Sequence, residues 1–262
     1  MKKMRVKNLY LFFSSGFIFL AHLLFVFAKN KPHEPFKPDN KKTGAAGFNG
    51  SLLHYFKLSV ENSAGNLYDN LKLNILGLSR QAFDYAMKGF NYLSQTGEIK
   101  NENVLSIVDF SQPSSQKRLY VIDLQNGSLL FNTYVAHGRN SGREYANQFS
   151  NTPQSNMSSL GFYETQNTYI GGHGYSLRLE GLERGINDNV ARRAIVMHPA
   201  DYVNEDFIHS QGYIGRSQGC PAVPPSKSKP IIDKIKDGTC LFIYSPQQNY
   251  LTHSRILNNQ GV

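Results

Sequence analysis

The sequence predicts a chain that is mainly β and α+β overall, with an N-terminal helical segment packed on a mostly antiparallel β domain over residues 103–246. Three observations predict it. Phe83, Ala86, Phe90 and Leu93 fall at i, i+3, i+7 and i+10, one face of a helix. After Asn101 the apolar period changes from helical to strand-like. Asn126-Gly127 stands between two apolar runs, Leu119 to Leu124 and Leu129 to Val135, which is the strongest short hairpin signal a sequence can carry.

The elements follow in order. Residues 1–28 open with Lys2, Lys3, Arg5 and Lys7, continue with the apolar run Leu9 to Ala28, and offer small residues in Val26-Phe27-Ala28. This is the pattern of a cleaved secretory signal. An uncleaved membrane anchor is the rival reading, since about 20 apolar residues span a bilayer. Ser14, Ser15, Gly16 and His22 weaken the run and favour cleavage. Either way the globular part is expected to be exported, to a periplasm or cell envelope. Residues 29–50, rich in Lys, Pro, Asn and Gly, read as a linker. Residues 51–102 read as helical: one or two helices over Leu52 to Leu78, broken near Asn62 to Gly65, then a helix capped by Ser79 and ended by Gly97.

Strands are expected at Val104 to Phe110, at the two arms of the hairpin, at Gly161 to Tyr163, at Ala194 to Met197 and at Leu241 to Tyr244, where Ser245-Pro246 stops the last one. Asp123 beside the hairpin turn reads as turn chemistry. Gly138 to Ser159 is polar and aperiodic, a long surface loop in which Tyr145 and Phe149 either face substrate or pack locally. Leu182 to Val190 is turn-rich. Pro225 to Asp237 reads as a helix with Ile231, Ile232 and Ile235 inward, and the tail 247–262 as polar and loose.

A hydrophobic content of 40% excludes a disordered chain. The net charge is +9, four of which lie in the first 28 residues, leaving +5 for the remainder. That balance suits solubility, or residence near anionic envelope polymers. No basic helix, zinc finger or RNA-binding string is present, so no nucleic-acid partner is expected. There are two cysteines, Cys220 and Cys240. In an exported chain they form a disulfide or stay apart, Cys240 then being a small buried hydrophobe in a strand and Cys220 a free thiol.

The candidate chemistry lies between Ile195 and Pro224. His198 ends the apolar run, and Cys220 follows Ser217-Gln218-Gly219, 22 residues later. That separation allows strand, loop and return to one pocket. A thiol attacks as thiolate, and a nearby imidazole takes its proton. Gly219 permits the tight turn and close approach that backbone N–H groups need in order to face a developing oxyanion. Pro221 suits N1 of a following helix, which would set Cys220 at a positive helix end. His209 lies outside the apolar run and reads as an exposed loop histidine. His173, in Gly171-Gly172-His173-Gly174, touches substrate, ligates a metal or makes a turn hydrogen bond. Arg178, Arg184, Arg193 or Arg216 would hold a substrate carboxylate, and Arg216 is nearest Cys220 in sequence.

GRSQGCPAVP (215–224) and the spacing back to His198 resemble the murein L,D-transpeptidase catalytic-domain family (YkuD-like). DFSQPSSQKRLYVIDL, VAHGRNSG, SSLGFYET, GGHGYSLRLEGLERGIND and LFIYSP agree in order, so the resemblance covers about Leu52 to Pro246. The chain departs from the family at two points: Pro199 follows the histidine in place of glycine, and Gln218 stands where the Ser-His-Gly-Cys motif has its histidine. It is most similar to the branch carrying Ser-Gln-Gly-Cys. The resemblance implies the L,D-transpeptidase β-sandwich. It also implies Cys220 as nucleophile and His198 as base, with the Pro199 carbonyl orienting the imidazole. The Gln218, Gly219 and Cys220 N–H groups would form the oxyanion site, and Ser217, Arg216, His173 and Tyr145 are candidate substrate contacts. The implied partner is a peptidoglycan stem peptide, cross-linked 3→3 through a Cys220 thioester, with no metal or organic cofactor. It further implies acylation of Cys220 by carbapenems; a monomer is expected.

Three other readings stay open. With water as acceptor the enzyme would be an L,D-carboxypeptidase. A zinc hydrolase would use His137, His173, His198 and Cys220, although no His-Glu-x-x-His is present. A non-catalytic envelope-binding module would keep the fold without the chemistry, and Gln218 is the feature that suggests it.

Overall fold

The computed structural model describes residues 65–259. The expected signal or anchor, the linker, the first part of the helical segment and the last three residues lie outside the described residues. Residues 65–70 are helical and 71–77 run in turns. Tyr68 donates its hydroxyl to the Leu78 carbonyl at 2.6 Å, and Tyr120 donates to Leu76 at 2.7 Å, tying this segment to the sheet.

The long helix α1 (Arg80–Thr96) forms where the periodicity predicts. Ser79 Oγ accepts the Ala82 N–H at 3.3 Å, satisfying one orphan donor of the first turn. Gly97 closes the helix at φ 71°, a left-handed conformation that glycine adopts without a Cβ penalty. The buried face is Ala82, Phe83, Ala86, Gly89, Phe90 and Leu93. Gly89 lets the helix backbone approach the Phe162 ring, which stacks on Phe242 with centroids 4.2 Å apart.

Eight strands follow: β1 (Val104–Asp109), β2 (Leu119–Asp123), β3 (Ser128–Thr133), β4 (Gly161–Gly171), β5 (Gly174–Gly181), β6 (Val196–Pro199), β7 (Ala222–Val223) and β8 (Cys240–Tyr244). They make one sheet in the order β3-β2-β1-β8-β4-β5-β6-β7. Its pairs are antiparallel except β1–β8 and β6–β7. Beyond β3, Ala136 bridges to Ala222 and Gly138 to Ser217. These bridges bring one end of the sheet round to the other, so the sheet curls into a nearly closed, barrel-like sandwich. The central strands β1, β2 and β8 are buried along their full length, which is why they read as continuous apolar runs rather than alternating ones.

Asp123 is turn chemistry, as expected: its carboxylate accepts the Asn126 backbone N–H at 2.9 Å and side-chain amide at 3.0 Å. The β4–β5 hairpin is far longer than the three-residue strand read at Gly161. Its middle, Gln166 to Tyr169, is polar and gives no apolar alternation.

Four shorter helices complete the chain: α2 (Glu205–Gln211), α3 (Pro225–Ile235), α4 (Gln248–His253) and α5 (Arg255–Asn258). Two expectations are corrected. Pro221 does not start a helix: Ala222 and Val223 form β7, and α3 begins at Pro225. Cys220 therefore has no helix end behind it. The tail is not loose through residue 258, because Tyr250, Leu251, Ile256 and Leu257 are buried. Tyr250 and Ser254 donate hydroxyls to the buried Glu183 carboxylate, which also takes the Phe162 N–H at 2.8 Å.

Candidate active site

The site is built where two parallel strands meet. β6 pairs with β5 on one side through Leu177–Met197 and Arg178–Val196. On the other side it pairs with β7 through His198–Ala222. Two residues before Ala222, Cys220 thus arrives beside the beginning of β6. Its sulfur lies 3.5 Å from the Val196 N–H and 3.8 Å from the Ala194 carbonyl. Both cysteines are free, Cys220 half-buried and Cys240 buried in β8, so the disulfide alternative is overturned.

His198 is buried and its Nδ1 lies 2.8 Å from the Pro199 carbonyl. A carbonyl only accepts, so Nδ1 carries the proton and Nε2 keeps the free lone pair. The expected Pro199 contact therefore exists, and it fixes the tautomer. His173 extends from the β4–β5 turn to stack on the His198 ring, with centroids 4.4 Å apart and planes 22° apart.

Burial lowers the His198 pKa below the ordinary imidazole value; the Pro199 carbonyl opposes that shift and His173 adds to it. Burial raises the Cys220 thiol, against the pull of the Val196 N–H and of the Arg193 guanidinium. Both shifts disfavour the charged forms, imidazolium and thiolate. No hydrogen bond joins the two side chains in this conformation. The sulfur is turned toward the β6 backbone.

Arg193 is the cation beside the thiol. Its Nη1 donates to the Ser150 carbonyl at 2.8 Å and to Ser159 Oγ at 2.5 Å. Its Nη2 donates to Ser155 Oγ at 3.2 Å and to the Met157 carbonyl at 2.5 Å. One guanidinium thus fastens the 150–159 segment against the cysteine turn. Gly219, at φ 123°, sits in that contact: a Cβ there would lie 2.7 Å from the Met157 oxygen and 3.1 Å from Arg193 Nη2. Glycine is required at this position. Ser158 completes the seam, accepting from the Gly138 N–H at 3.1 Å and donating to the Gly219 carbonyl at 3.3 Å.

Two candidate contacts are corrected by their hydrogen bonds. Ser217 is buried, accepts the Gly219 N–H at 3.0 Å and donates to the Cys220 carbonyl at 2.7 Å. It braces the turn instead of facing substrate, and it removes the Gly219 N–H from the expected oxyanion set. Arg216 donates to the Gly142 carbonyl at 3.1 Å and lies over the Tyr213 ring at 5.8 Å, holding the 139–142 turn. Gln218 and Tyr145 are exposed, and Phe149 stacks on Phe110 at 6.2 Å in a packing role. His209 is exposed on α2.

His137 has both ring nitrogens occupied: Arg118 Nη2 approaches Nδ1 at 2.7 Å and the Gly142 carbonyl takes Nε2–H at 3.3 Å. Burial together with Arg118 drives its pKa down to about 3. It is a buried brace and offers no lone pair to a metal. Among the described residues, no three His, Cys, Asp or Glu side chains are gathered as metal ligands. Clefts of about 200 and 380 Å³ flank the far side of the 149–160 segment, and neither is lined by Cys220 or His198.

A free cysteine just ahead of β7 and a tautomer-fixed histidine on the adjoining β6 define a protein with a candidate Cys–His centre. The chain belongs to the L,D-transpeptidase catalytic domain family, whose model matches residues 75–244. A comparison with curated proteins gives no match. Among solved structures, the chain is similar to an L,D-transpeptidase from Mycobacterium smegmatis, at 15% identity over 55% of this chain and 59% of that one, with a TM-score of 0.35. It is similar to one from Stackebrandtia nassauensis, at 15% identity over 63% and 68% of the two chains, with a TM-score of 0.32. The chain spans about three-fifths of the length of the first of these.

Proposed function

We propose that this chain is an exported cysteine L,D-transpeptidase of the periplasm or cell envelope, acting on peptidoglycan stem peptides. Export rests on the basic and then apolar first 28 residues. The reaction rests on family membership, and one observation carries it to these residues. A free, half-buried thiol lies one strand away from an imidazole whose Nδ1–H is held by Pro199, leaving Nε2 open as a base.

With substrate bound, the Cys220 side chain swings from the Val196 N–H toward His198, and Nε2 takes the S–H proton. The sulfur attacks the carbonyl of the third stem residue. A C–S bond forms, the C–N bond to the terminal D-alanine breaks, and the leaving amine takes its proton from Nε2. An acceptor amine of a neighbouring stem then attacks the thioester and gives its proton to Nε2, which returns it to the departing thiolate. The product is a 3→3 cross-link. With the Gly219 N–H held by Ser217, the Gln218 and Cys220 N–H groups remain to receive the oxyanion.

The test is incubation of wild-type protein and Cys220→Ala with purified tetrapeptide stems, followed by mass analysis. Loss of 3→3 dimer and of the acyl-enzyme in the variant supports the reading. Hydrolysed monomer alone makes the enzyme an L,D-carboxypeptidase. One observation favours a second reading, a non-catalytic envelope-binding module: the resting thiol makes its hydrogen bonds to the β6 backbone and none to His198. Stem binding without turnover by either protein would establish that reading.

A further inference from the structure

The function proposed above makes no use of His173. Its placement is nonetheless over-determined. Gly171 and Gly174 pair as the last rung of the β4–β5 hairpin, so Gly172 and His173 form a two-residue turn, and Gly174 adopts φ 83°. The arm is pinned above β6. Tyr175 donates its hydroxyl to Asp233 of α3 at 2.7 Å, Lys229 lies over the Tyr175 ring at 5.3 Å, and Arg178 covers the Tyr169 ring at 4.3 Å. The turn therefore overlies the end of β6, where a Cβ on Gly174 would stand 3.9 Å from Pro199 Cγ. His173 is exposed on its outer side and has the His198 ring against its inner face.

We propose that His173 is a positioning residue for His198: its ring fixes the plane of the candidate base and opposes a second positive charge beside it, keeping that base neutral and proton-accepting. The inference rests on the transpeptidase reading for its consequence, but not for its geometry. The Pro199 carbonyl holds one edge of the His198 ring, and a single hydrogen bond leaves the ring free to tilt about that edge. Stacking over the face removes that freedom. The titratable groups on the elements around β6 are Tyr175, Arg178 and Glu180 on β5, Asp201 and Tyr202 after β6, Cys220 ahead of β7, and Lys227, Lys229, Asp233 and Lys234 on α3. Lys229 and Asp233 pair with each other, and His173 is the group whose charge bears on the His198 ring.

Two variants of the full chain test this. His173→Phe keeps a flat ring and removes the charge, while His173→Ala removes both. Ring-proton NMR follows the His198 titration, and kcat/KM on tetrapeptide stems is measured against pH. The expected result in His173→Phe is a His198 midpoint moved to higher pH, with the acid limb of kcat/KM moving the same way and kcat at its optimum nearly retained. In His173→Ala, kcat falls about tenfold with KM changed less than twofold, the size expected for a misaligned general base. An unchanged His198 titration in both variants overturns the proposal, and so does a loss confined to KM, which would make His173 a substrate contact. If the wild type turns over no stem peptide, the NMR titration alone decides, so failure of the functional reading stays distinct from failure of this one.

Discussion

Gly219→Ala is the sharpest perturbation of the site. The added Cβ would stand 2.7 Å from the Met157 carbonyl oxygen and 2.9 Å from Ile195 Cδ1. With ordinary contact at about 3.5 Å, Met157 or the turn must retreat by roughly 0.8 Å. The backbone itself resists, because φ 123° is a glycine conformation that a non-glycine residue holds only at a cost on the order of 1–3 kcal/mol. Met157 cannot retreat freely, since Arg193 grips its carbonyl. The turn moves instead, and Cys220 moves with it. A displacement near 1 Å at a reacting atom costs about a hundredfold. We predict that kcat/KM on stem peptides falls about a hundredfold, that Cys220 alkylation by iodoacetamide changes rate markedly, and that Tm drops by only several degrees. Buried Cys240 serves as the unreactive internal control. A folded variant with more than half the wild-type activity and an unchanged alkylation rate would refute the argument that this contact positions the nucleophile.

Two further outcomes are expected. In the wild type, Cys220 alkylation should climb with pH through a thiol midpoint above the ordinary value, because burial disfavours the thiolate; Arg193→Met removes the nearby cation, so its midpoint should lie higher still, read by thiolate absorbance. Gly89→Ala gains up to about 1 kcal/mol of helix propensity but drives a Cβ to 1.9 Å from Phe162 Cζ within the Phe162–Phe242 stack; net destabilisation of about 1–2 kcal/mol by urea unfolding is expected, and a more stable variant would disprove close packing of α1 on the sheet.

Local signals were legible where local physics decides. The Ser79 and Gly97 caps, the inward face of α1 and the Asp123 turn all follow from interactions within a few residues of one another. His198 at a strand end and Cys220 behind a glycine were also readable, since a short apolar run and a turn motif mark both. Legibility stopped where partners are distant in sequence. Arg193 lies 27 residues before Cys220 yet carries the local positive charge, and the adjacent Arg192 looks the same in sequence, with nothing to mark which guanidinium gathers carbonyls from residues 150 and 157. Ser217 looked available because its hydroxyl partners are backbone groups of its own turn. The helices α4 and α5 were missed because only Tyr250, Leu251, Ile256 and Leu257 are apolar there; the buried Glu183 carboxylate, far away in sequence, helps dock them.

The strand order has a consequence for how the molecule comes into being. β8 is the last strand in the chain and sits between β1 and β4, joining two halves that share no other direct strand pairing across that seam. A growing polypeptide can make the β1–β3 meander and the β4–β5 arm early, but only the edge bridges Ala136–Ala222 and Gly138–Ser217 link the two halves until residues 240–244 emerge. The ring histidine and the thiol therefore acquire a rigid frame late, and a chain cut short of residue 240 should give two sticky half-sheets rather than a smaller working protein.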